Sequence, residues 1–328
     1  MSGGATGRRL FVNEVATRDG FQMESRFIPT DDKVALIDRL SLLGYARIEV
    51  TSFTSAKAIP ALRDGEAVMQ RIVRRPGVVY TALVPNLRGA ERALESRVDE
   101  FNIVMSVSET HNLANLRMTR AQSFAQLAEV IALARRAGVP VNVSLSCVFG
   151  CPMEGEVPLS GVLAWIDRFA ALSVQGITLC DTTGMAFPTQ VRAICEAVRA
   201  RHPALPWTAH FHNTRGMGLA NVVAAVEAGI ARFDMSLGGI GGCPYAPGAT
   251  GNVATEDVVH MLQCMGHDTG MDLDGLIAAA AELQTLVQHE LPSQVSRAGH
   301  RLVRHAPPAD FDDIAARAHA RGAGELHA

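Results

Sequence analysis

The chain lacks any long hydrophobic run: no apolar stretch reaches the roughly 18 residues that a membrane-crossing helix needs. Its start, MSGGATGRRL, passes straight into a strand-like FVNEV without the apolar stretch of a secretory signal, so export is not expected. Charge of one sign is also missing. The net charge is −3 at pH 7, which does not suit a partner made of nucleic acid or anionic lipid. Cysteine is sparse: six residues, at 147, 151, 180, 195, 243 and 264, form no disulfide framework. Cys147 and Cys151 are spaced Cys-x3-Cys with no second pair nearby, so a structural zinc is not indicated. Reduced thiols and a cytoplasmic setting are the expectation. No Gly-x-Gly-x-x-Gly follows the first strand, which argues against a dinucleotide-binding open sheet. No internal repeat of strong identity is present.

What is there is a large apolar fraction, 48%, over 328 residues, enough for one sizeable core. A phrase recurs along the chain: an amphipathic helix, a glycine, then a short β-rich run. It reads DRLSLLGYARIEVTS, ALARRAGVPVNVSLS, AALSVQGITLCDTT and AAVEAGIARFDMSL. Glycine after a helix accepts the left-handed conformation that closes it. Helical spacing appears in Val34, Ile37, Leu40 and Leu43, in Leu127, Val130, Ile131 and Ala134, and in Leu219, Val222, Val223 and Val226. Eight strand candidates lie near 10–16, 46–51, 78–84, 99–106, 139–146, 175–181, 206–211 and 231–236. Strands alternating with helices predict an α/β fold, a (β/α)8 TIM barrel with additional C-terminal helices; an open doubly wound sheet is the rival. The barrel domain is expected over 1–290, including helices from about 254, with 291–328 a partly ordered tail.

In such a barrel, chemistry collects at the C-terminal ends of the strands. Those ends carry Glu14, Arg18 and Asp19 after strand one, Glu49 after strand two, Asp181 after strand six, and His210 and His212 in HFHNTRG after strand seven. Residues i and i+2 of a strand share a face, so both imidazoles point one way and Phe211 the other. Strands one, seven and eight adjoin in a closed barrel. Asp19, the histidine pair and Asn252 of the last loop then converge as a divalent-cation site with open positions. Cys243 lies in GGIGGCPYAPGATGN, where six glycines fall between 238 and 251; such a loop has little to bury and reads as a lid with a functional thiol. Taken singly, Glu49 and Asp181 also read as ordinary buried ion-pair members, and Cys243 as a small core residue.

The phrases RDGFQ, IEVTSF, CDTTG, HFHNTRG and GGCPYAPGATGNVATED resemble the hydroxymethylglutaryl-CoA lyases of the DRE-TIM metallolyase superfamily, over about residues 10 to 290. The resemblance implies Mg2+ or Mn2+ held by Asp19, His210, His212 and Asn252. It implies Arg18 at the thioester carbonyl, Glu49 and Asp181 lining the site, Cys243 as a loop thiol delivering a proton, and Lys57 near the CoA moiety. It leaves the general base open among His210, Asp181 and water. The implied reaction is retro-Claisen cleavage of 3-hydroxy-3-methylglutaryl-CoA to acetyl-CoA and acetoacetate, with an acyl-CoA as partner. The alternatives are the same mechanism on another branched 3-hydroxyacyl-CoA, or a Claisen-type synthase using an α-keto acid. The helices at 254–290 either cover the barrel or pair with a second copy, so a homo-oligomer stays open. Three positions depart from the family's usual pattern: Phe21, Met23 and Asn213.

Overall fold

The computed structural model describes residues 7–242 and 251–325. Eight parallel strands close on themselves in chain order: β1 Phe11–Glu14, β2 Arg47–Ser52, β3 Val79–Leu83, β4 Glu100–Ser106, β5 Val141–Ser146, β6 Gly176–Asp181, β7 Trp207–Phe211 and β8 Arg232–Met235. Closure is by β1 against β8, with Asn13 opposite Asp234 and Glu14 opposite Met235. All eight expected strands are present and the sheet is a closed barrel, so the open-sheet rival falls.

Between the strands run α1 (Thr30–Leu40), α2 (Gly65–Arg71), α3 (Leu87–Glu95), α4 (Glu109–Leu116), α5 (Arg120–Ala137), α6 (Leu159–Ala170), α7 (Pro188–Arg201) and α8 (Gly218–Glu227). After β8 come α9 (Thr255–Cys264), α10 (Leu273–Val287) and α11 (Val295–Ala298). Helix α5 shows how the sequence sets these up. Thr119 and Gln122 form a reciprocal capping box at its start, and Gly138, with φ +72°, ends it in the left-handed region. Leu127, Val130, Ile131 and Ala134 face the sheet and are buried; each larger aliphatic chain contributes roughly 1.5–3 kcal/mol. In α1 the buried face is Lys33, Leu36, Ile37 and Leu40, rotated slightly from the expected stripe, with Val34 half-buried. Lys33 is held there by Asp64 at 2.6 Å.

Continuous apolar strands are usual where both faces are covered. This barrel instead alternates. Val12, Ile48, Phe101, Ile103, Val143, Leu145, Ile177, Leu179, Ala209 and Phe211 are buried against the helices, and form the main core. The residues between them, Asn13, Glu49, Asn102, Asn142, Ser144, Thr178 and His210, are polar and also buried, with Asp234 half-buried beside them. Barrel interiors are more often packed with branched aliphatics. Here the interior is a hydrogen-bonded polar layer, and that layer supports the site.

The first compact unit runs to Ala298. Ser293 and Val295 tie its last turn to Asp257 of α9. The second unit, Gly299–Ala328, contains one further helix, α12 (Phe311–Glu325), in the stretch expected to be weakly ordered. Its alanines and arginines are good helix formers, and Asp312 and Asp313 sit in the first turn.

Candidate active site

A cavity of about 680 Å³ opens at the C-terminal end of the barrel. Arg18, Asp19, His210, His212, Asn102, Ser144, Cys180, Thr182 and Asp234 line its inner part, and Met23, Phe27, Ile59 and Leu116, with the charged Arg63, its outer part.

The chain after β1 does not leave as an open loop. Ala16–Gly20 winds into one π-helical turn, in which the N–H of Asp19 donates to the Val15 carbonyl at 2.7 Å. Such turns recur at functional sites because they aim consecutive side chains inward. Gly20 is needed: a Cβ there would lie 2.5 Å from the Ile240 side chain. The turn presents Arg18 and Asp19 side by side. Arg18 Nε donates to Glu49 Oε2 at 2.6 Å and its NH1 to Asp19 Oδ1 at 2.7 Å. Its NH2 carries no bond within the described residues, although the side chain is largely buried against the cavity.

His210 and His212 point into the barrel from the end of β7, and their Nε2 atoms are 3.2 Å apart. The ligand atoms of Asp19, His210 and His212 all lie within 4.8 Å of one another. Asn252 arrives by a route the sequence did not show. Val253 N donates to Phe211 O, Asn213 N donates to Gly251 O, and His212 and Asn252 form a bridge, so the returning loop pairs with the end of β7. Asn252 Nδ2 donates to Asp19 Oδ2 at 2.8 Å, while its Oδ1 is buried without a hydrogen-bond partner. An orphaned amide oxygen, a carboxylate and two converging imidazoles fit a divalent cation.

Charge follows the same arrangement. Burial alone would raise Asp19, but Arg18, then His210, His212 and the Asn252 amide, hold it below the usual carboxylate range. Burial and then the neighbouring His210 push His212 down to about 3, which keeps it neutral, the form that binds metal. Burial lowers His210 too, but Asp234 and Asp19 outweigh it and raise that imidazole. Burial raises Glu49 against the pull of Arg18 and Asn102.

The other expected residues fall as follows. Glu49 is in the site and holds Arg18. Asp181 is not among the residues lining the cavity. It alternates away from Cys180, and its Oδ1 accepts from the N–H groups of Met185 and Ala186, bracing the turn after β6. Burial pushes it up to about 6, and its Oδ2 is buried without a hydrogen-bond partner. Lys57 is exposed and does not line the cavity, whereas Ala58–Ala61 and Arg63 do. Cys243 lies outside the described residues. Phe21 is core, Met23 is at the cavity mouth, and Asn213 Oδ1 takes the Gly218 N–H at the start of α8, a task for which Asn and Asp serve equally. Sequence reading missed Asn102, Ser144 and Asp234. Their signal was polar residues at inward positions of strands read as apolar.

A family model described as HMGL-like matches residues 9–283. A hydroxymethylglutaryl-CoA lyase of Bacillus subtilis is 44% identical over 287 residues, covering 88% of this chain and 96% of the relative. A 3-hydroxy-3-isohexenylglutaryl-CoA/hydroxymethylglutaryl-CoA lyase of Pseudomonas aeruginosa is 40% identical, with 89% and 97% covered. Among solved structures, an HMG-CoA lyase from Acinetobacter baumannii in complex with coenzyme A and 3-methylmalate superposes with a TM-score of 0.88 at 48% identity, covering 92% of this chain and 98% of that one. Fold, site geometry and these likenesses agree: the chain belongs to the HMGL-like family.

Proposed function

We propose that the chain is a divalent-cation-dependent carbon–carbon lyase that cleaves 3-hydroxy-3-methylglutaryl-CoA to acetyl-CoA and acetoacetate. The observation that carries this is the convergence, in one cavity, of the Asp19–His210–His212 cluster, the unpartnered Asn252 Oδ1 and the NH2 edge of Arg18. The relatives named as hydroxymethylglutaryl-CoA lyases, and the relative bound to coenzyme A, support the substrate class. No helix of the described residues is long and apolar enough to cross a membrane.

Asp19, His210, His212 and Asn252 would hold Mg2+ or Mn2+, which when bound supplies Lewis-acid polarisation of the substrate oxygens. Cleavage takes the proton from the C3 hydroxyl and sends the electrons of the C2–C3 bond into the thioester as an enolate. Arg18 meets that developing charge with its NH2 edge, while Glu49 and Asp19 fix the rest of the guanidinium. Asp234, which lines the cavity 3.7 Å from His210 Nδ1, is the carboxylate that accepts the hydroxyl proton, since both nitrogens of His210 are committed. Cys243 follows Gly242 of the cavity wall and is the donor that protonates the acetyl carbon.

The test is acetoacetate release from hydroxymethylglutaryl-CoA with Mg2+ or Mn2+, beside a panel of other branched 3-hydroxyacyl-CoA esters and, in the condensing direction, acetyl-CoA with α-keto acids. Highest kcat/KM on hydroxymethylglutaryl-CoA is expected. No acetoacetate with any divalent cation removes the reading, and cleavage confined to another ester reassigns the substrate.

A further inference from the structure

Asn102 sits inside the barrel on β4, three strands from β1 and from β7, whose ends carry the proposed metal ligands, yet it is bonded on both sides of its amide. Its Oδ1 accepts from Ser144 Oγ at 2.8 Å and from Asn142 Nδ2 at 3.1 Å. Asn142 in turn donates to Thr178 Oγ1 at 2.9 Å. Two donors on Oδ1 leave one assignment for the other end: Nδ2 donates, at 2.7 Å, to Glu49 Oε1. Glu49 then receives Arg18 Nε on its second oxygen. The hydrogen-bonded line runs from β6 through β5 and β4 to β2, and ends at the guanidinium beside Asp19.

We infer that Asn102 is a positioning residue for Arg18, acting through Glu49. This rests on the reading of Arg18 as the group that meets the thioester oxygen. A buried carboxylate with one oxygen bonded only to a cation can rotate; Asn102 takes that freedom away by occupying the other oxygen. Glu49 is further pinned through its backbone, whose carbonyl accepts from Thr17 Oγ1 at 2.7 Å. With Nε and NH1 committed to Glu49 and Asp19, NH2 is the edge that stays available to the cavity. Aspartate at 102 would set an oxygen against Glu49 Oε1, and Glu49 would turn. A small displacement of Arg18 follows, which costs transition-state stabilisation more than substrate binding.

Five proteins test this: wild type, Asn102→Asp, Asn102→Ser, Arg18→Gln and the double variant Arg18→Gln/Asn102→Asp. Each is saturated with its divalent cation and assayed for kcat and KM on hydroxymethylglutaryl-CoA, with thermal melting to check folding. Asn102→Asp, nearly isosteric, is expected to lower kcat about 10- to 100-fold with KM changed less than about threefold. Asn102→Ser, with a hydroxyl donor on a shorter arm, loses less. In the Arg18→Gln background, the same Asn102→Asp change lowers kcat by less than about threefold, since the group it positions is gone. A second full loss in the double variant overturns the inference, because Asn102 then acts independently of Arg18. So does a raised KM with kcat retained, which marks direct substrate contact. An Arg18→Gln enzyme with near wild-type kcat removes the Arg18 reading itself, a result the single Asn102 variants do not produce.

Discussion

At the scale of single residues, the site is governed by groups that burial and hydrogen bonding compel to one state. Glu14 is fully buried and its Oε1 takes the N–H groups of Ala16 and Leu237, one on each loop that frames the site. Its Oε2 takes the hydroxyls of Tyr45 and Thr255. Burial nevertheless pushes Glu14 up to about 7, and Glu256, at the Gly238 N–H, to about 7 as well. A raised folded-state value means the stability each contributes is complete below about pH 4.5 and is lost as pH rises through 7, on the order of 3 kcal/mol for each group. Glu14→Gln keeps the oxygen that accepts from both backbone N–H groups, and its amide donates to the two hydroxyl oxygens. Urea denaturation between pH 4.5 and 8 is therefore expected to show a shallower fall in stability for Glu14→Gln than for wild type. Parallel curves would show that Glu14 does not titrate in this range. Arg18, Asp19, His210 and His212 were legible in the sequence because strand ends and i, i+2 alternation place them. Asp181 was not, because one residue of strand alternation decides whether a carboxylate faces the cavity or the following turn.

At the scale of elements, the strands were legible almost to the residue, since helical patterns bound them and glycines at 44, 138 and 229, all with positive φ, lie just before three of them. The π-helical turn after β1 was not, and neither was the pairing of the returning loop with β7. The turn packs against Asn252 and Ile240, more than 200 residues away in sequence, and the returning loop pairs with β7 across about 40 residues; neither contact leaves a local pattern. Gly251 shows what that pairing requires. Its φ is +89°, and a Cβ would lie 2.5 Å from the Gly241 carbonyl oxygen and 2.6 Å from that of Gly239. Gly251→Ala must move the backbone that delivers Asn252. Divalent-cation affinity, measured by calorimetric titration, is expected to drop about tenfold or more, as it does when groups supporting metal ligands are lost. Unchanged affinity would mean that Asn252 reaches the cation without this loop conformation.

At the scale of the whole molecule, barrel closure is what brings the four proposed ligands from three separate regions into one place. The turn after β1 carries Asp19, the end of β7 the two histidines, and the segment beyond β8 carries Asn252; the β8–β1 and β7–β8 pairings bring these regions together. Composition and periodicity pointed to the closed fold, but not to its polar interior, because the strands read as apolar runs buried on both faces. A cation bound only by the folded barrel must stabilise it. At about 100 times its dissociation constant the gain is about 2.7 kcal/mol, a rise of several degrees in Tm, and His212→Ala is expected to abolish that rise. The central claim, that this cluster holds the cation on which cleavage depends, has a direct measurement. Protein stripped with EDTA is assayed for acetoacetate from hydroxymethylglutaryl-CoA before and after Mg2+ or Mn2+ is returned. The account predicts loss of cleavage on stripping, recovery on return, and no recovery in His212→Ala; cleavage that persists undiminished without a divalent cation would contradict it.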